Sequence, residues 1–329
     1  MQLLISFTTK DNARNINLND LFVVFDVNKK QFIRKLNFKA SIRKIANVHR
    51  ATGMCYYKNF WYAGITHYTH RVGSKLLIVD LNNGKQTIND LFLTKAIHSI
   101  FPLCECKIYN MILACSTQND CVSIITTFNT KVVTEDIFID YLSDSKRLKL
   151  NWSKEYLWDD LLHANNICIN NGDIYSCMFH DYNLRNKEEE KEKMNETKKY
   201  WRQNKEKMIG AVYNITNQKL LRKTVQPHSL IVNQFNEKVF CESGTFKLIN
   251  IDKNQEAQCN GFTRGLWEDK QRGGYWVGLS YHRVFSTKLD GAALQFVSYN
   301  MEIKDFIDLS IYGKEIYDVI PYKKGEWKR

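Results

Sequence analysis

Short apolar runs of β-strand length, separated by polar turns, dominate the sequence. In the clearest cases an apolar strand is followed by an Asn-, Asp- or Thr-rich turn and a charged return strand. Alternation of this kind, bounded by turn-forming residues, predicts antiparallel β-hairpins. These hairpins occupy residues 21–38, 75–88, 121–137, 211–225 and 246–258.

A second two-strand unit lies between the hairpins and begins at a polar residue in each of six copies. Four strands in each repeat of about 40–50 residues are typical of a β-propeller blade. The sequence therefore predicts an all-β, six-bladed β-propeller forming a single domain over residues 1–329. A β-sandwich or two unrelated β domains are the alternatives, because the spacing is irregular. The six copies start at Arg50, His98, His163, His228, Arg264 and Tyr317.

The two ends of the chain predict how the ring closes. The copy that starts at Tyr317 holds about one strand and a turn, whereas residues 3–7 form an apolar strand at the other end of the chain. We expect the N-terminal strand and the hairpin at 21–38 to complete the last blade. Closure of this kind leaves no exposed sheet edge.

Residues 183–209 interrupt the pattern with charged and helix-forming residues. We predict a charged, partly helical insertion within the third blade. We interpret this segment as a solvated excursion, since charge runs are commonly exposed. The alternative is a lid, because Trp201 and Arg202 are unusual in a purely solvating segment.

The inner strand of each blade lines a central channel, so equivalent positions of successive blades face one another. Three of the eight histidines are among the six starting residues, none of which is apolar. The sequence therefore predicts a polar site in the channel. The alternative is a water-filled channel whose side chains only satisfy the strand ends. The predicted acid/base residues are His98, His163, His228 and Tyr317, and the predicted ligand-binding residues are Arg50, Asn165, Arg202, Ser229 and Arg264.

Each residue type has a chemical reason to be a candidate. The guanidinium groups of Arg50 and Arg264 suit a bidentate bond to a carboxylate or phosphate. Imidazoles transfer protons near neutral pH, and nearby cations are expected to lower their pKa values and keep them neutral. Three neutral imidazoles can also bind a divalent transition metal, and such a metal is the cofactor that the sequence suggests. The predicted metal ligands are His98, His163 and His228.

Several motifs between residues 163 and 283 resemble an uncharacterised, mainly bacterial propeller-like family, in the same order and context. The resemblance implies a β-propeller of unassigned activity, and the charged run before Trp201 departs from the family pattern. The motifs are H-x-N at 163–165, W-R-x-N-K at 201–205, P-H-S at 227–229, G-F-x-R-G-L at 261–266 and V-G-L-S at 277–280.

A looser resemblance is to six-bladed lactonase and strictosidine-synthase-like propellers. Those proteins bind calcium through acidic and Asn ligands, whereas the channel predicted here is rich in His and Arg. Calcium chemistry is therefore not expected.

Composition narrows the classes of partner. The chain has 47 Lys and Arg against 35 Asp and Glu, a net charge of +12. A solubilising surface with a basic tail or a polyanion-binding face accounts for this excess, but no nucleic-acid-binding motif accompanies it. The nine cysteines are expected to be reduced core thiols of a cytoplasmic protein. No apolar run approaches the ~20 residues of a membrane span.

Together these features predict a pocket for a small anionic or carbohydrate-derived ligand. Lyase or isomerase chemistry fits best, because it needs only positioned acid/base groups, with or without a metal. No nucleophile elbow, phosphate-binding glycine loop or dinucleotide fingerprint supports a hydrolase, kinase or dehydrogenase. The alternative is a non-catalytic propeller that acts as a scaffold for protein–protein interaction.

Overall fold

A computed structural model describes most of the chain in ten segments. Within them the chain forms six four-stranded antiparallel sheets and one two-stranded ribbon. The described segments are residues 1–8, 15–46, 48–67, 74–94, 96–105, 108–117, 121–140, 163–179, 209–281 and 289–324.

The N-terminal strands form part of the last blade and the ribbon. A four-residue helix α1 (Ala40–Arg43) precedes the final strand of this region. The strands are β1 (Gln2–Phe7), β2 (Asn15–Asn17), β3 (Phe22–Asp26), β4 (Gln31–Lys35) and β5 (Lys44–Ala46).

Five blades then follow, each built from four strands that are consecutive in the chain and in the sheet. Blade 1 comprises β6 (Val48–Tyr57), β7 (Phe60–His67), β8 (Lys75–Asp80) and β9 (Gln86–Asp90). Blade 2 comprises β10 (Ile97–Glu105), β11 (Asn110–Ser116), β12 (Cys121–Phe128) and β13 (Lys131–Asp140). Blade 3 comprises β14 (Ala164–Asn170), β15 (Asp173–Met178), β16 (Ile209–Asn214) and β17 (Lys219–Val225).

The C-terminal blades complete the ring. The inner strands β6, β10, β14, β18, β22 and β26 contact one another in cyclic order. This confirms the predicted six-bladed propeller. Blade 4 comprises β18 (Pro227–Val232), β19 (Lys238–Glu242), β20 (Lys247–Asn250) and β21 (Gln255–Gln258), blade 5 comprises β22 (Phe262–Asp269), β23 (Gly274–Ser280), β24 (Ala293–Ser298) and β25 (Ile303–Asp308), and the last inner strand is β26 (Ile316–Pro321).

Blade 6 closes the ring with strands from both ends of the chain, in the order β26-β1-β3-β4. Leu4 is paired with Ile320 on one side and with Val24 on the other. The apolar N-terminal strand is buried because neighbours cover both its edges, which removes a sheet edge that would otherwise be open to pairing. The predicted closure by the N-terminal strand is confirmed.

Side-chain alternation in β3 shows how neighbouring blades share a core. Phe22 and Val24 pack in a cluster with Trp61 of blade 1, whereas Val23 and Phe25 pack in a cluster that extends to blade 5. Successive strand residues point to opposite faces, and both faces of a blade are covered. This explains why every position of β3 from Phe22 to Phe25 is apolar. A strand with one face open to solvent would instead alternate apolar and polar residues.

Two further predictions concern the rest of the chain. Of the predicted insertion at 183–209, only residue 209, which begins β16, belongs to the described residues, so the lid and Arg202 lie outside them. Among the helices that the structure describes, none is long and apolar enough to span a membrane.

Candidate functional site in the central channel

At every interface between blades, one residue of the inner strand lies against the backbone or a side chain of the next blade, and we call it the contact position. At four of the six interfaces this residue accepts a hydrogen bond from a backbone N–H of the next blade. These acceptors and donors are Ser99 and Ile167 (3.1 Å), Asn166 and Leu230 (3.0 Å), Ser229 and Gly265 (2.9 Å), and Asp318 and Met54 (2.8 Å).

Glycine occupies the contact position at the other two interfaces. A Cβ atom added to Gly53 would lie 2.4 Å from the Cα atom of Ser99 in blade 2. Gly265 has φ +71°, and a Cβ atom there would lie 3.0 Å from a methyl group of Val319 in blade 6. Direct backbone approach therefore replaces the hydrogen bond at these interfaces.

Counting back one and three residues from each contact position gives two sets of equivalent positions, which we call the first and second layers. The sequence prediction that all six starting residues are equivalent is wrong for Arg50 and His163, which lie in the second layer. The inner strands carry bulges, so chain spacing alone does not reveal their register. The first layer is Thr52, His98, Asn165, His228, Arg264 and Tyr317, and the second is Arg50, Ala96, His163, Gln226, Phe262 and Glu315.

The two layers nevertheless bring the predicted residues together. The ring of His98 lies 5.2 Å from that of His163 and 5.3 Å from that of Tyr317, between centroids. The guanidinium carbons of Arg50 and Arg264 lie 5.3 and 4.7 Å from the centroid of the Tyr317 ring. Tyr317 is therefore the residue on which the cluster converges.

His98 lies between Asn165 and Tyr317 in a buried position. Its Nδ1 atom is 2.6 Å from Oδ1 of Asn165, and the hydroxyl of Tyr317 lies 3.0 Å from Nε2 and 3.4 Å from Nδ1. The amide oxygen only accepts, so Nδ1 carries the proton, and Nε2 is the nitrogen left to accept from the tyrosine. The hydroxyl of Tyr317 thus donates to a neutral imidazole.

Burial lowers the pKa of His98 well below its ordinary value, and the electrostatic influence of His163, Arg50, Arg264 and His228 acts in the same direction. Desolvation and nearby cations both disfavour a charged imidazole. His98 is consequently neutral at physiological pH and available as a proton acceptor.

His228 is held in the same tautomer by different partners. Its Nδ1 atom lies 2.6 Å from the hydroxyl of Ser243, which itself donates to the carbonyl of Thr263. Arg264 donates from Nε to Nε2 of His228 at 3.2 Å. Because Arg264 donates to Nε2, this nitrogen must carry a lone pair. His228 is therefore neutral, and its hydrogen bond orients the guanidinium of Arg264.

The two arginines differ in how far their charge is compensated. Arg264 forms an ion pair with Glu315 at 3.6 Å, and both side chains are largely buried. The Nε atom of Arg50 is buried and has no hydrogen-bond partner among the residues that the structure describes. A buried donor without a partner costs about 1–3 kcal/mol. Arg50 is therefore the group with most to gain from an anion.

Several site residues were missed by the sequence predictions. Phe179 follows β15 and its ring stacks on that of His163 at 4.4 Å, because the N–H of Phe179 donates to the carbonyl of His163. The rings of Phe179 and Phe262 also pack edge-on against His228. Position in the second layer identifies Phe262 and Glu315, but only once the register is known.

Two predicted ligand-binding residues instead connect parts of the protein. Asn165 donates from its amide to the carbonyl of Pro227 at 3.3 Å while its oxygen contacts His98. Ser229 accepts from Gly265 at the interface between blades 4 and 5. The amide of Asn165 therefore hydrogen-bonds at both its oxygen and its nitrogen, and the hydroxyl of Ser229 accepts a hydrogen bond, all within the propeller.

The predicted three-histidine metal site does not fit the arrangement. Within the described part of the chain, no group of three or more His, Cys, Asp or Glu side chains is placed to hold a metal ion. The Nε2 atoms of His98 and His228 already accept from Tyr317 and Arg264, and their Nδ1 atoms carry protons. The lone pairs that a metal would need are therefore occupied.

Fold and site together define a six-bladed β-propeller with a buried His/Arg/Tyr cluster in its channel. No protein-family model and no curated protein matches the sequence. A protein of unknown function from Bacteroides caccae is similar in structure, with a TM-score of 0.55 and 9% identity, over 97% of this chain and 98% of that one. At this identity the likeness supports the propeller fold alone.

Two further solved structures are more distantly similar. A luciferin-regenerating enzyme has a TM-score of 0.49 and 9% identity, over 83% of this chain and 79% of that one. A putative 6-phosphogluconolactonase from Bacteroides fragilis has a TM-score of 0.48 and 11% identity, over 93% of this chain and 81% of that one.

Proposed function

We propose that the protein binds a small carboxylate-bearing ligand, anionic or carbohydrate-derived, in its channel and acts on it as a lyase or isomerase. The observation that carries this proposal is the hydrogen bond from the hydroxyl of Tyr317 to Nε2 of neutral His98, beside two guanidinium groups. An acid/base pair next to fixed positive charge is suited to removing a proton adjacent to a carboxylate.

Arg50 is the proposed anion-binding group. Its buried Nε lacks a partner among the described residues, whereas Arg264 is engaged by Glu315 and His228. A carboxylate would give Arg50 charge-assisted hydrogen bonds, which are roughly twice as strong as neutral ones. The charge of Arg50 would also stabilise the enolate that forms when the neighbouring carbon loses its proton.

Tyr317 and His98 are the proposed proton-transfer residues. As the tyrosine hydroxyl passes its proton to Nε2 of His98, the phenolate oxygen takes the proton from the substrate carbon. The negative charges of the bound carboxylate and of the forming enolate would stabilise the imidazolium, which the cluster disfavours without a ligand. In an isomerase the proton returns to a different carbon, and in a lyase the electron pair expels a leaving group from the adjacent carbon. Neither outcome consumes an oxidant or a reductant.

Ligand-induced thermal stabilisation tests the binding step. We expect small carboxylates such as glycolate or glucuronate to raise the melting temperature of the wild-type protein and to exchange a carbon-bound proton for deuterium in D2O. Arg50→Gln should weaken binding roughly tenfold or more, because a charged hydrogen bond is worth about 1.5–3 kcal/mol. Tyr317→Phe keeps the aromatic ring and should abolish exchange.

The chain offers a matched control on its surface. The guanidinium of Arg34 lies 5.3 Å over the ring of Tyr322, an arginine–tyrosine pair of similar geometry outside the channel. Arg34→Gln and Tyr322→Phe should leave ligand binding and exchange unchanged. If the channel variants behave like these controls, the proposed site is wrong.

A non-catalytic scaffold remains the second candidate function. The observation that favours it is a group of exposed apolar side chains on blade 2, where the rings of Tyr109 and Phe128 contact each other at 5.9 Å and Ile108 is 67% exposed. A protein partner that recognises blade 2 should be lost with Ile108→Ser and retained with Tyr317→Phe. The opposite pattern would favour the channel.

A further inference from the structure

The geometry points to Asn165 as a positioning residue that holds His98 in the Nδ1–H tautomer and so directs the Nε2 lone pair at the hydroxyl of Tyr317. Its consequence for turnover rests on the proposed function, whereas the tautomer can be measured without any ligand. Asn165 belongs to blade 3, is buried, and connects His98 of blade 2 with Pro227 of blade 4.

The orientation of the Asn165 amide follows from its two partners. The carbonyl of Pro227 can only accept, so the atom 3.3 Å from it is the NH2 group. The oxygen must then face Nδ1 of His98, at 2.6 Å. A flipped amide would set two acceptors against each other at Pro227. One hydrogen bond therefore determines the direction of the other.

The competing tautomer of His98 is disfavoured for the same reason. With the proton on Nε2, the Nδ1 lone pair would face the amide oxygen at 2.6 Å, and a buried hydrogen bond would be lost. The hydroxyl of Tyr317 would then have to accept from Nε2 and would no longer donate to it. An unmade buried hydrogen bond costs about 1–3 kcal/mol, enough to populate one tautomer predominantly.

His228 provides a comparison within the same cluster. Its Nε2 atom accepts from Nε of Arg264, so its tautomer is set by a charged donor, and the hydroxyl of Ser243 only has to accept from Nδ1. The partner of Nε2 in His98 is the hydroxyl of Tyr317, which can either donate or accept. The amide oxygen of Asn165 therefore takes the selecting role at His98 that Arg264 has at His228.

The charged groups around His98 do not select its tautomer. The groups that face it are the cations Arg50 and Arg264, the imidazoles of His163 and His228, and the hydroxyl of Tyr317. These groups favour a neutral ring, but a neutral ring has two tautomers. Of the contacts that the structure describes, the one with Asn165 is the contact that selects between them.

Long-range proton–nitrogen NMR on protein with 15N-labelled histidine tests the assignment, since protonated and unprotonated ring nitrogens have distinct shifts. In the wild type we expect Nε2 of His98 to be the unprotonated nitrogen. Asn165→Leu should populate the Nε2–H form, while His228 in the same spectrum keeps its tautomer. Asn165→Asp keeps an oxygen that accepts from Nδ1 and should retain a proton on that nitrogen, while losing the hydrogen bond to the carbonyl of Pro227.

The turnover measurement separates the two proposals. Asn165→Leu should reduce proton exchange by roughly 100-fold, at the lower end of acid/base contributions, with ligand affinity changed little. If the Tyr317→Phe variant still exchanges the carbon-bound proton of the ligand, the proposed function is wrong, and the tautomer result for His98 is unaffected. A wild-type His98 with its proton on Nε2, or an unchanged tautomer in a folded Asn165→Leu variant, would overturn the role of Asn165.

Discussion

The six interfaces between blades are formed by two kinds of contact at the same position of the inner strand. At four of them a polar side chain accepts a hydrogen bond from the backbone of the next blade, as Ser99 does from Ile167. At the other two, Gly53 and Gly265 allow the backbones to approach directly. The residue before each contact position belongs to the first layer of the channel. Interface stability and the candidate site are therefore controlled by adjacent residues of the same strands.

The two kinds of interface should respond differently to substitution. A hydrogen bond can be lost while the backbone keeps its position, so the cost is limited to an unpaired N–H group. A close backbone approach cannot be relaxed without moving a whole strand, and packed interiors tolerate extra volume poorly.

Gly53→Ala should have the largest effect. The added Cβ would lie 2.4 Å from Cα of Ser99 and 2.7 Å from the nitrogen of Ile100, both backbone atoms. We expect a loss of more than about 3 kcal/mol in the free energy of unfolding, above the usual range for overpacking. Gly265→Ala should cost less, about 1–2 kcal/mol from the positive φ, because the added Cβ would lie no closer than 3.0 Å to Val319 and 3.1 Å to the backbone of Asp318.

Urea denaturation of both variants measures these losses. Equal destabilisation of the two glycine variants would contradict the closer backbone approach assigned to the interface at Gly53.

Asp318 gives its interface a pH dependence. Burial raises the pKa of its carboxyl to about 6, although the N–H groups of Met54 and Val319 act in the opposite direction. The folded state therefore holds a proton that the unfolded state releases near pH 4. Stability should fall by at most about 3 kcal/mol as the pH rises from 4 to 7, and stay level above that.

Asp318→Asn keeps an acceptor for Met54 but cannot ionise, so this part of the decline should disappear. The measurement is the difference in unfolding free energy between wild type and variant across this pH range, which cancels the other titrating groups. A difference that does not grow with pH would show that Asp318 is not the titrating group.

Ser99→Ala should have a smaller effect, about 1–2 kcal/mol, because it leaves the buried N–H of Ile167 unpaired. Ligand-induced thermal shifts should persist in this variant. The reverse is expected for Tyr317→Phe, in which stability changes by about 1 kcal/mol and the ligand response is lost. Parallel loss of stability and ligand response in both variants would show that the two adjacent positions are not separable.

Much of the fold follows from the strand pattern. Apolar runs and turn residues identify the hairpins, and the unpaired strand at residues 3–7 identifies the closure. The polar character of the channel also follows, since His98, His228, Arg264 and Tyr317 all lie in the first layer. The register does not follow, because a bulge shifts side chains between faces without changing the spacing of the repeats.

The same limit applies to the chemistry of the site. His163 and Arg50 are members of the cluster, but they reach it from the second layer, together with Phe262 and Glu315. The metal prediction did not fit for a related reason. Residue types indicate which atoms can bind a metal, whereas Tyr317 and Arg264 occupy those atoms only in the folded protein.

The sequence by itself determined the period, the number of blades and the supply of His, Arg and Tyr near the inner strands. These are local properties, encoded in alternation and turn chemistry. Only the tertiary structure decided which side chains meet, which tautomers His98 and His228 adopt, and that the buried Nε of Arg50 lacks a partner among the described residues. Those outcomes depend on hydrogen bonds between residues far apart in the chain, such as Tyr317 and His98. These hydrogen bonds form only when the ring of blades closes.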